Sequence, residues 1–344
     1  QYKFAIVFLG SKREDYGEFR YTLPANVVHF QEHFLYDDLD EKDKPEHVRG
    51  SPQSFEHIRR LLLLLEQDDG KAASRQAILE EIQTIALELR PGGGIPLGDF
   101  LHSEEAWQLL RESYVRYCSD PSFVDFFWTV RIMFKPLWLL AEIAETLIPV
   151  RVLHTVSTGY AGFLGGLLHH RRQLPLILSE HGIYTKERQI DLLKSTWIRD
   201  NRNFFQRDPM EVSFFRQMWI RFFEWMGRFC YEAANPIIAL YEANRLRQIN
   251  DGAPPERTLN VPNGIRVERF TPLRSIRPDS TPPVLCLIGR VVPIKDIKTF
   301  IRSMRRIVNK LPQAQAWIAG PVEEDPEYVQ ECKSLVSSLN LQNH

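Results

Sequence analysis

Two cations follow an apolar segment in the carboxyl-terminal part of the sequence. Val284–Ile288 is a short continuous apolar run, which predicts a strand covered on both faces in a parallel sheet. Gly289 follows it and permits a tight turn with close backbone approach. Arg290 offers a planar fork of donors for phosphate oxygens, and Lys295 supplies a second positive charge nearby. Because ligands of open α/β sheets bind beyond the carboxyl ends of the strands, these residues predict a phosphate site. Two solvated surface cations are the alternative interpretation.

The overall composition bears on compartment and partners. The 344 residues carry a formal net charge of -1, so nothing indicates a protein that binds nucleic acid mainly through phosphate attraction. The four cysteines are scattered and form no CxxC motif, which favours a reduced, cytoplasmic compartment. Residues 123–150 are the most apolar long stretch, but charged residues interrupt it and argue against a membrane span. The beginning of the sequence does not resemble a signal peptide.

One short motif could hold a metal ion. Asp38 and Asp40 form a DxD pattern, in which two carboxylates could bind a divalent cation beside a diphosphate. The motif lies within an acidic run, and no strand leads into it, so a solvated charged segment is the favoured interpretation. No metal site is therefore predicted.

Alternating strand and helix patterns predict a mixed α/β chain. Strands at 3–9 and 26–30 precede a helical insertion at about 51–148. Strands at 149–154 and 175–178 then enclose a helix of small residues, which is the βαβ order of a parallel sheet. The remaining predicted strands are 235–240, 259–262, 284–288 and 314–319.

A linker rich in Pro, Arg and Ser at 271–283 predicts two domains. The amino-terminal domain would comprise residues 1–270, and the carboxyl-terminal domain residues 284–344.

In the first domain, residues 213–234 form a helical pattern that mixes aromatic side chains with arginines. A membrane-surface helix is one interpretation. A helix packed in the core, with arginine stems lying over apolar surface, is the favoured one.

Four motifs in a fixed order carry a family resemblance. They are the His181-Gly182 turn after a strand, VPNGI followed by Phe270, GRVVPIKD after the linker, and WIAGP after one more helix. In this order they resemble the family 4 retaining glycosyltransferases, whose GT-B fold has two facing, doubly wound Rossmann-like domains with the donor nucleotide sugar in the cleft. SEHGIYTKER and REDYGEFRYTLPANVVHFQEHF are similar to the PelF-type enzymes of Pel exopolysaccharide assembly.

The resemblance implies a function and a set of partners. The chain would transfer a hexose or N-acetylhexosamine from a UDP-sugar to a growing exopolysaccharide, with retention of configuration and without a metal or other cofactor. Its partners would be a nucleotide sugar, a polysaccharide acceptor and an inner-membrane synthase complex, but not nucleic acid. Its location would be cytoplasmic or peripheral at the inner membrane.

The resemblance also implies residue roles. Arg290 and Lys295 would hold the diphosphate and neutralise the negative charge that grows on it as it leaves. His181 would hydrogen-bond the donor sugar or stabilise an oxocarbenium-like centre. The other donor-site residues would be Gly289, Gly320 and Asn263, of which Asn263, with Gly264, shapes the interdomain turn. Candidates on the acceptor or donor side are Glu180, Gly182, Tyr184, Lys186 and Arg188.

The sequence also departs from the family pattern. The glycine-rich loop after the family's first strand is not found, nor is the pair of carboxyl-domain glutamates seven residues apart. Glu323 and Glu324 precede a helix and lie in the wrong place for that pair. An incomplete carboxyl-terminal domain of a longer enzyme is therefore expected.

Two other functions were weighed. A non-catalytic GT-B scaffold would dock on a membrane synthase complex through the aromatic and basic helix near 219–228. A dinucleotide-dependent oxidoreductase is disfavoured because no GxGxxG follows a predicted strand.

Overall fold

The computed structural model describes two compact units, 1–263 and 264–344. Residues 2–19, 21–37, 50–68, 71–203, 205, 207–208, 211–276 and 283–344 are described. The DxD motif at 38–40 and part of the expected linker lie outside these residues. The first unit ends at Asn263, before the expected domain end at residue 270, and a short 3₁₀ turn at Thr271–Arg274 occupies the start of the expected linker.

Parallel strands form two sheets in the first unit. The smaller sheet pairs β1 (Phe4–Gly10) with β2 (Val27–Phe34). The larger sheet has the order β3-β4-β5-β6, and each neighbouring pair is parallel. Its strands are β3 (Leu153–Thr155), β4 (Leu176–Glu180), β5 (Ala234–Ala239) and β6 (Thr258–Asn260).

Four predicted strand ranges, 26–30, 149–154, 175–178 and 259–262, were wrong by two or more residues at an end. The second strand continues to Phe34, and the fourth continues to Glu180. Leu153 begins the third strand, and Asn260 ends the sixth. Pro149 and Pro262, which the predictions included, both lie outside the observed strands. Pairing begins at Leu153, opposite Leu176, and ends at Asn260, opposite Ala239.

Among the described residues between β2 and β3, six helices lie within the predicted helical insertion. They are α1 (Pro52–Glu66), α2 (Ala72–Glu88), α3 (Leu97–His102), α4 (Glu104–Tyr117), α5 (Phe123–Phe134) and α6 (Pro136–Thr146). The break between α5 and α6 lies at Pro136, because proline is tolerated in the first turn of a helix but not in its interior. The short helix α3 was not predicted.

Four more helices accompany the larger sheet. They are α7 (Tyr160–Arg172), α8 (Tyr184–Lys194), α9 (Phe214–Ala233) and α10 (Glu242–Asn250). Together with the strands they confirm the α/β fold class and the parallel sheet of the βαβ order. Within the described chain, no helix is both long enough and apolar enough to cross a membrane.

Helix α9 confirms the core-packed interpretation of the aromatic and basic segment. Trp219, Phe223 and Phe229 are buried in the hydrophobic core of the first unit. Burying each such side chain contributes about 1.5–3 kcal/mol. Trp225 and Met226 are also buried. The apolar face that the scaffold alternative assigns to membrane docking is therefore occupied by the core.

The second unit is a smaller α/β layer. Parallel strands β7 (Val284–Ile288) and β8 (Gln315–Ala319) pack against α11 (Ile297–Lys310) and α12 (Pro326–Ser338). Its core is formed by Ile297, Ile301, Met304, Val308, Val291, Ala314, Tyr328, Cys332 and Leu341.

The prediction that β7 is covered on both faces was wrong. Leu285 and Leu287 pack against the core of the second unit, whereas Ile288 is 83% exposed. Successive side chains of a strand point to opposite faces, and among the described residues both helices cover the face of Leu285 and Leu287. An apolar run on a strand therefore does not indicate how many faces are covered.

Candidate functional site

The carboxyl ends of β7 and β8 meet at two glycines. The Gly289 amide donates to the Ala319 carbonyl oxygen at 2.9 Å. A Cβ placed on Gly320 would overlap the Gly289 carbonyl and would lie 3.3 Å from the Arg290 amide nitrogen. Only glycine fits at position 320 without a shift of the backbone. The two strand ends that were predicted to border one site are thus in direct contact.

Arg290 extends from this edge toward the loop after β8. Its Nη1 donates to both carboxylate oxygens of Glu324, at 2.7 and 2.8 Å. About half of each side chain is exposed. Among the described residues, Nε and Nη2 of Arg290 have no hydrogen-bond partner. The guanidinium therefore keeps part of its donor fork for a ligand.

Lys295 lies beside the same glycine. It ends a short 3₁₀ turn, Pro293–Lys295, directly before α11. A Cβ placed on Gly289 would lie 3.9 Å from Lys295 Cε. No carboxylate in the described part of the chain lies within ion-pair distance of its ammonium group. The structure thus brings together Gly289, Gly320, Arg290 and Lys295, which lie on two strand ends and the turn after β7.

In the first unit, the end of β4 carries a buried carboxylate. Glu180 has no exposed surface. Its Oε1 accepts from Thr158 Oγ1 at 3.3 Å and from the Tyr184 amide at 3.4 Å. Its Oε2 accepts from the Tyr231 hydroxyl at 2.8 Å and from Gln248 Nε2 at 3.0 Å. Burial raises the pKa of Glu180, and the four hydrogen bonds oppose that shift.

Glu180 was a candidate for the acceptor or donor side, but its side chain is fully buried and is not accessible to either substrate. A side chain without exposed surface and with four protein donors cannot contact a polysaccharide. Leu176, Leu178 and Glu180 alternate along β4, and all three face the core. In the sequence, Leu176, Ile177 and Leu178 are all apolar, so the local pattern does not indicate on which face of the strand Glu180 lies.

The residues after Glu180 are more accessible. His181 is exposed, and its carbonyl oxygen accepts from Asn244 Nδ2 at 3.4 Å. A Cβ on Gly182 would overlap the carboxylate of Glu187. The structure thus places the His181 side chain at an exposed turn at the carboxyl end of β4.

Tyr184 and Arg188 form the first turns of α8, and Lys186 between them is exposed. The Arg188 guanidinium lies 5.6 Å from the Tyr184 ring centroid, within cation–π range. Burial raises the pKa of Tyr184. These side chains stabilise the start of α8, and their contact with a substrate stays a prediction.

Asn263 and Gly264 lie at the division between the two units. Both are exposed, and no atom lies within 4 Å of a Cβ placed on Gly264. The role of this turn in shaping a donor site stays a prediction.

The described residues offer no ready-made metal site. Across residues 2–19, 21–37, 50–68 and the later described segments, no three His, Cys, Asp or Glu side chains cluster so as to hold a metal ion. Asp38 and Asp40 lie outside these segments, and the expected metal independence stays a prediction. All four cysteines are free thiols.

Comparisons with known proteins give one family and several similar folds. A family model described as a domain of unknown function (DUF3492) matches residues 1–256. No curated protein matches. HepE from Anabaena in complex with UDP and glucose is 17% identical with a TM-score of 0.41, over 71% of this chain and 58% of that chain. HepE in complex with UDP is also 17% identical, with a TM-score of 0.40, over 76% of this chain and 63% of that chain.

A third similar structure is UDP-GlcNAc 2-epimerase from Neisseria meningitidis bound to UDP-GlcNAc. It is 15% identical with a TM-score of 0.31, over 68% of this chain and 59% of that chain. The chain thus spans about three fifths of the length of these structures. At such scores the similarity carries no argument about a site or an activity.

Proposed function

The chain belongs to the family described as a domain of unknown function, DUF3492, and we propose that it is a nucleotide-sugar-dependent glycosyltransferase. The observation that carries the proposal is the edge at which the ends of β7 and β8 meet. Gly289 and Gly320 bring the two backbones into contact, and Arg290 and Lys295 extend from the same edge. Two cations beside closely packed glycine backbone suit the two phosphates of a nucleoside diphosphate.

The chemistry follows from charge. As the sugar leaves, negative charge grows on the departing diphosphate. Arg290 keeps Nε and Nη2 for phosphate oxygens, and Lys295 adds an ammonium group without a carboxylate partner among the described residues. One preorganised donor or charge of this kind contributes about 3 kcal/mol to transition-state stabilisation.

The finer parts of the proposal rest on the ordered motifs. We propose a retaining GT-B enzyme of family 4 and PelF type, with a UDP-sugar as donor and a hexose or N-acetylhexosamine as the transferred unit. The acceptor is a growing exopolysaccharide, no metal takes part, and the enzyme works in the cytoplasm with an inner-membrane synthase complex. His181, on an exposed turn of the first unit, contacts the donor sugar.

Isothermal titration calorimetry with UDP in the presence of EDTA tests the donor site. The wild-type protein should bind UDP, and Arg290→Ala should weaken binding by about tenfold or more, as expected for a lost charge-assisted hydrogen bond. Arg306→Ala is the matched control, because Arg306 is an exposed arginine of α11 in the same unit. Unchanged affinity in Arg290→Ala would show that the site is assigned wrongly.

Release of UDP from UDP-hexose and UDP-N-acetylhexosamine tests the activity itself. A glycosyltransferase should release UDP in the presence of an oligosaccharide acceptor, whereas a scaffold should release none with any donor. The buried aromatic face of α9 removes the docking surface that was assigned to the scaffold alternative. Wild-type protein that binds no UDP would contradict the proposed function.

A further inference from the structure

We propose that Glu324 is a positioning residue that orients the Arg290 guanidinium toward a nucleoside diphosphate. This inference rests on the proposed function and deepens its donor site. It concerns a carboxylate to which the motifs assign no role, on the loop after β8.

The start of α12 fixes the backbone beside Glu324. Asp325 is the N-cap residue, and its Oδ1 accepts from the Tyr328 amide at 3.0 Å. Tyr328 is buried in the core of the second unit. Glu324 directly precedes this cap, so its backbone position follows from the docking of α12.

The backbone at Arg290, the other partner of the ion pair, is also held in place. Arg290 follows Gly289, whose amide is bonded to Ala319 and whose carbonyl is covered by Gly320. The Val291 amide donates to the Pro321 carbonyl oxygen at 3.1 Å. Both partners are thus fixed near the two strand ends, and their ion pair limits the rotamers of a long arginine side chain.

The geometry of the pair separates two possible effects. Glu324 could compete with phosphate for the guanidinium, or it could hold the guanidinium in place. Only Nη1 bonds to the carboxylate, at 2.7 and 2.8 Å, and Nε and Nη2 stay available on another edge of the fork. A diphosphate can therefore bind while the pair stays intact, which favours orientation over competition.

Lys295 supplies the net positive charge that the Arg290–Glu324 ion pair lacks. Arg290 and Glu324 together are close to neutral, whereas Lys295 has no carboxylate partner among the described residues. Arg290 then contributes directed hydrogen bonds, and Lys295 contributes net charge.

Calorimetric titrations with UDP and with uridine test the inference. Exposed ion pairs have modest effects, so Glu324→Ala should weaken UDP binding by about two- to fivefold, and Glu324→Gln, which keeps one acceptor oxygen, by less. Affinity for uridine should not change, because uridine has no phosphate. In an Arg290→Ala background, Glu324→Ala should have no further effect.

Glu331→Ala is the matched control. Glu331 pairs with Lys298 at 2.5 Å on the surface of the same unit and does not bond to Arg290. It should leave both affinities unchanged. Circular dichroism should show the same thermal unfolding for the Glu324 and Glu331 variants.

Three outcomes would overturn the inference. Tighter UDP binding by Glu324→Ala would establish competition, unchanged binding would establish that the pair has no role, and equal loss for uridine would establish a general structural effect. If the wild-type protein binds no UDP, both this inference and the proposed function are refuted. If the wild-type protein and Arg290→Ala behave as expected, only the role of Glu324 is at issue.

Discussion

A glutamate lies near the end of β4 and another near the end of β7, and the two differ in burial and in hydrogen-bond partners. Each strand is parallel to its neighbours, and each ends close to a glycine. Glu180 at the end of β4 is buried under four protein donors. Glu324, next to the end of β7, is half-exposed and pairs with an arginine that keeps free donors. Burial thus separates a carboxylate that holds the fold from one that can serve a ligand site.

The largest expected effect is the loss of the Glu180 carboxylate. Glu180→Ala leaves the Tyr231 hydroxyl and the Gln248 amide without their buried acceptor. Each unsatisfied buried group costs about 1–3 kcal/mol, so the free energy of unfolding should fall by about 4 kcal/mol. Urea unfolding measures it, with Glu256→Ala as an exposed control in the same unit. A loss below about 1 kcal/mol would refute the structural role of Glu180.

Gly320→Ala should produce the next largest effect. The new Cβ would overlap the Gly289 carbonyl and force the two strand ends apart. Overpacking of this kind costs about 1–3 kcal/mol. UDP affinity should also fall, because Arg290 moves with the end of β7. Gly17→Ala is the control, since Gly17 is exposed and no atom of the described residues lies within 4 Å of a Cβ placed on it. If Gly320→Ala equalled the control in stability and in UDP affinity, the close contact between the two strand ends would have no role in either property.

Lys295→Ala should weaken UDP binding without changing stability. Its ammonium group has no carboxylate partner among the described residues, so its removal breaks no ion pair there. The loss of one charge-assisted contact to phosphate should reduce affinity by about tenfold. Calorimetry measures the affinity, and Lys310→Ala, at the other end of α11, is the control. Equal affinity in the two variants would remove Lys295 from the site.

The smallest expected effect is a dependence of stability on pH at the end of β4. Burial raises the pKa of folded Glu180 above the ordinary value of a glutamate, so the folded state keeps its proton to a higher pH than the unfolded state does. The stability that Glu180 contributes is therefore present below the unfolded pKa and falls as pH rises through the folded pKa.

Glu180→Gln removes this titration and serves as the reference. The stability of the wild-type protein minus that of the variant should fall as pH rises from about 4 upward. Urea unfolding at several pH values measures the difference. A constant difference, or one that rises with pH, would show that the four hydrogen bonds to Glu180 match or outweigh the effect of burial on its pKa.

The sequence predicts where the strands lie along the chain better than it predicts which side chains are buried. The strand before Gly289 and the strand before Gly320 lie where their apolar runs indicate, because local pattern decides secondary structure. The burial of Glu180 could not be predicted in this way, because the apolar run of Leu176, Ile177 and Leu178 does not distinguish the two faces of β4.

Other features could not be derived from local pattern. Glu180 accepts three of its four hydrogen bonds from Thr158, Tyr231 and Gln248, which lie on the loop before α7, on α9 and on α10. The Arg290–Glu324 pair joins residues 34 positions apart through a helix and a strand. Such contacts depend on how helices dock on the sheet, and the sequence alone fixes neither the docking nor the rotamers.

Hydrogen exchange with and without UDP compares the two strand ends most directly. The account predicts that UDP slows exchange of backbone amides in residues 289–295 and 320–324, because a bound diphosphate would cover the edge where Gly289 and Gly320 meet. The buried side chain of Glu180 should stay unavailable to the ligand, and its hydrogen bonds should hold the Tyr184 amide equally in both states. UDP binding that leaves residues 289–295 and 320–324 unprotected would contradict the central claim.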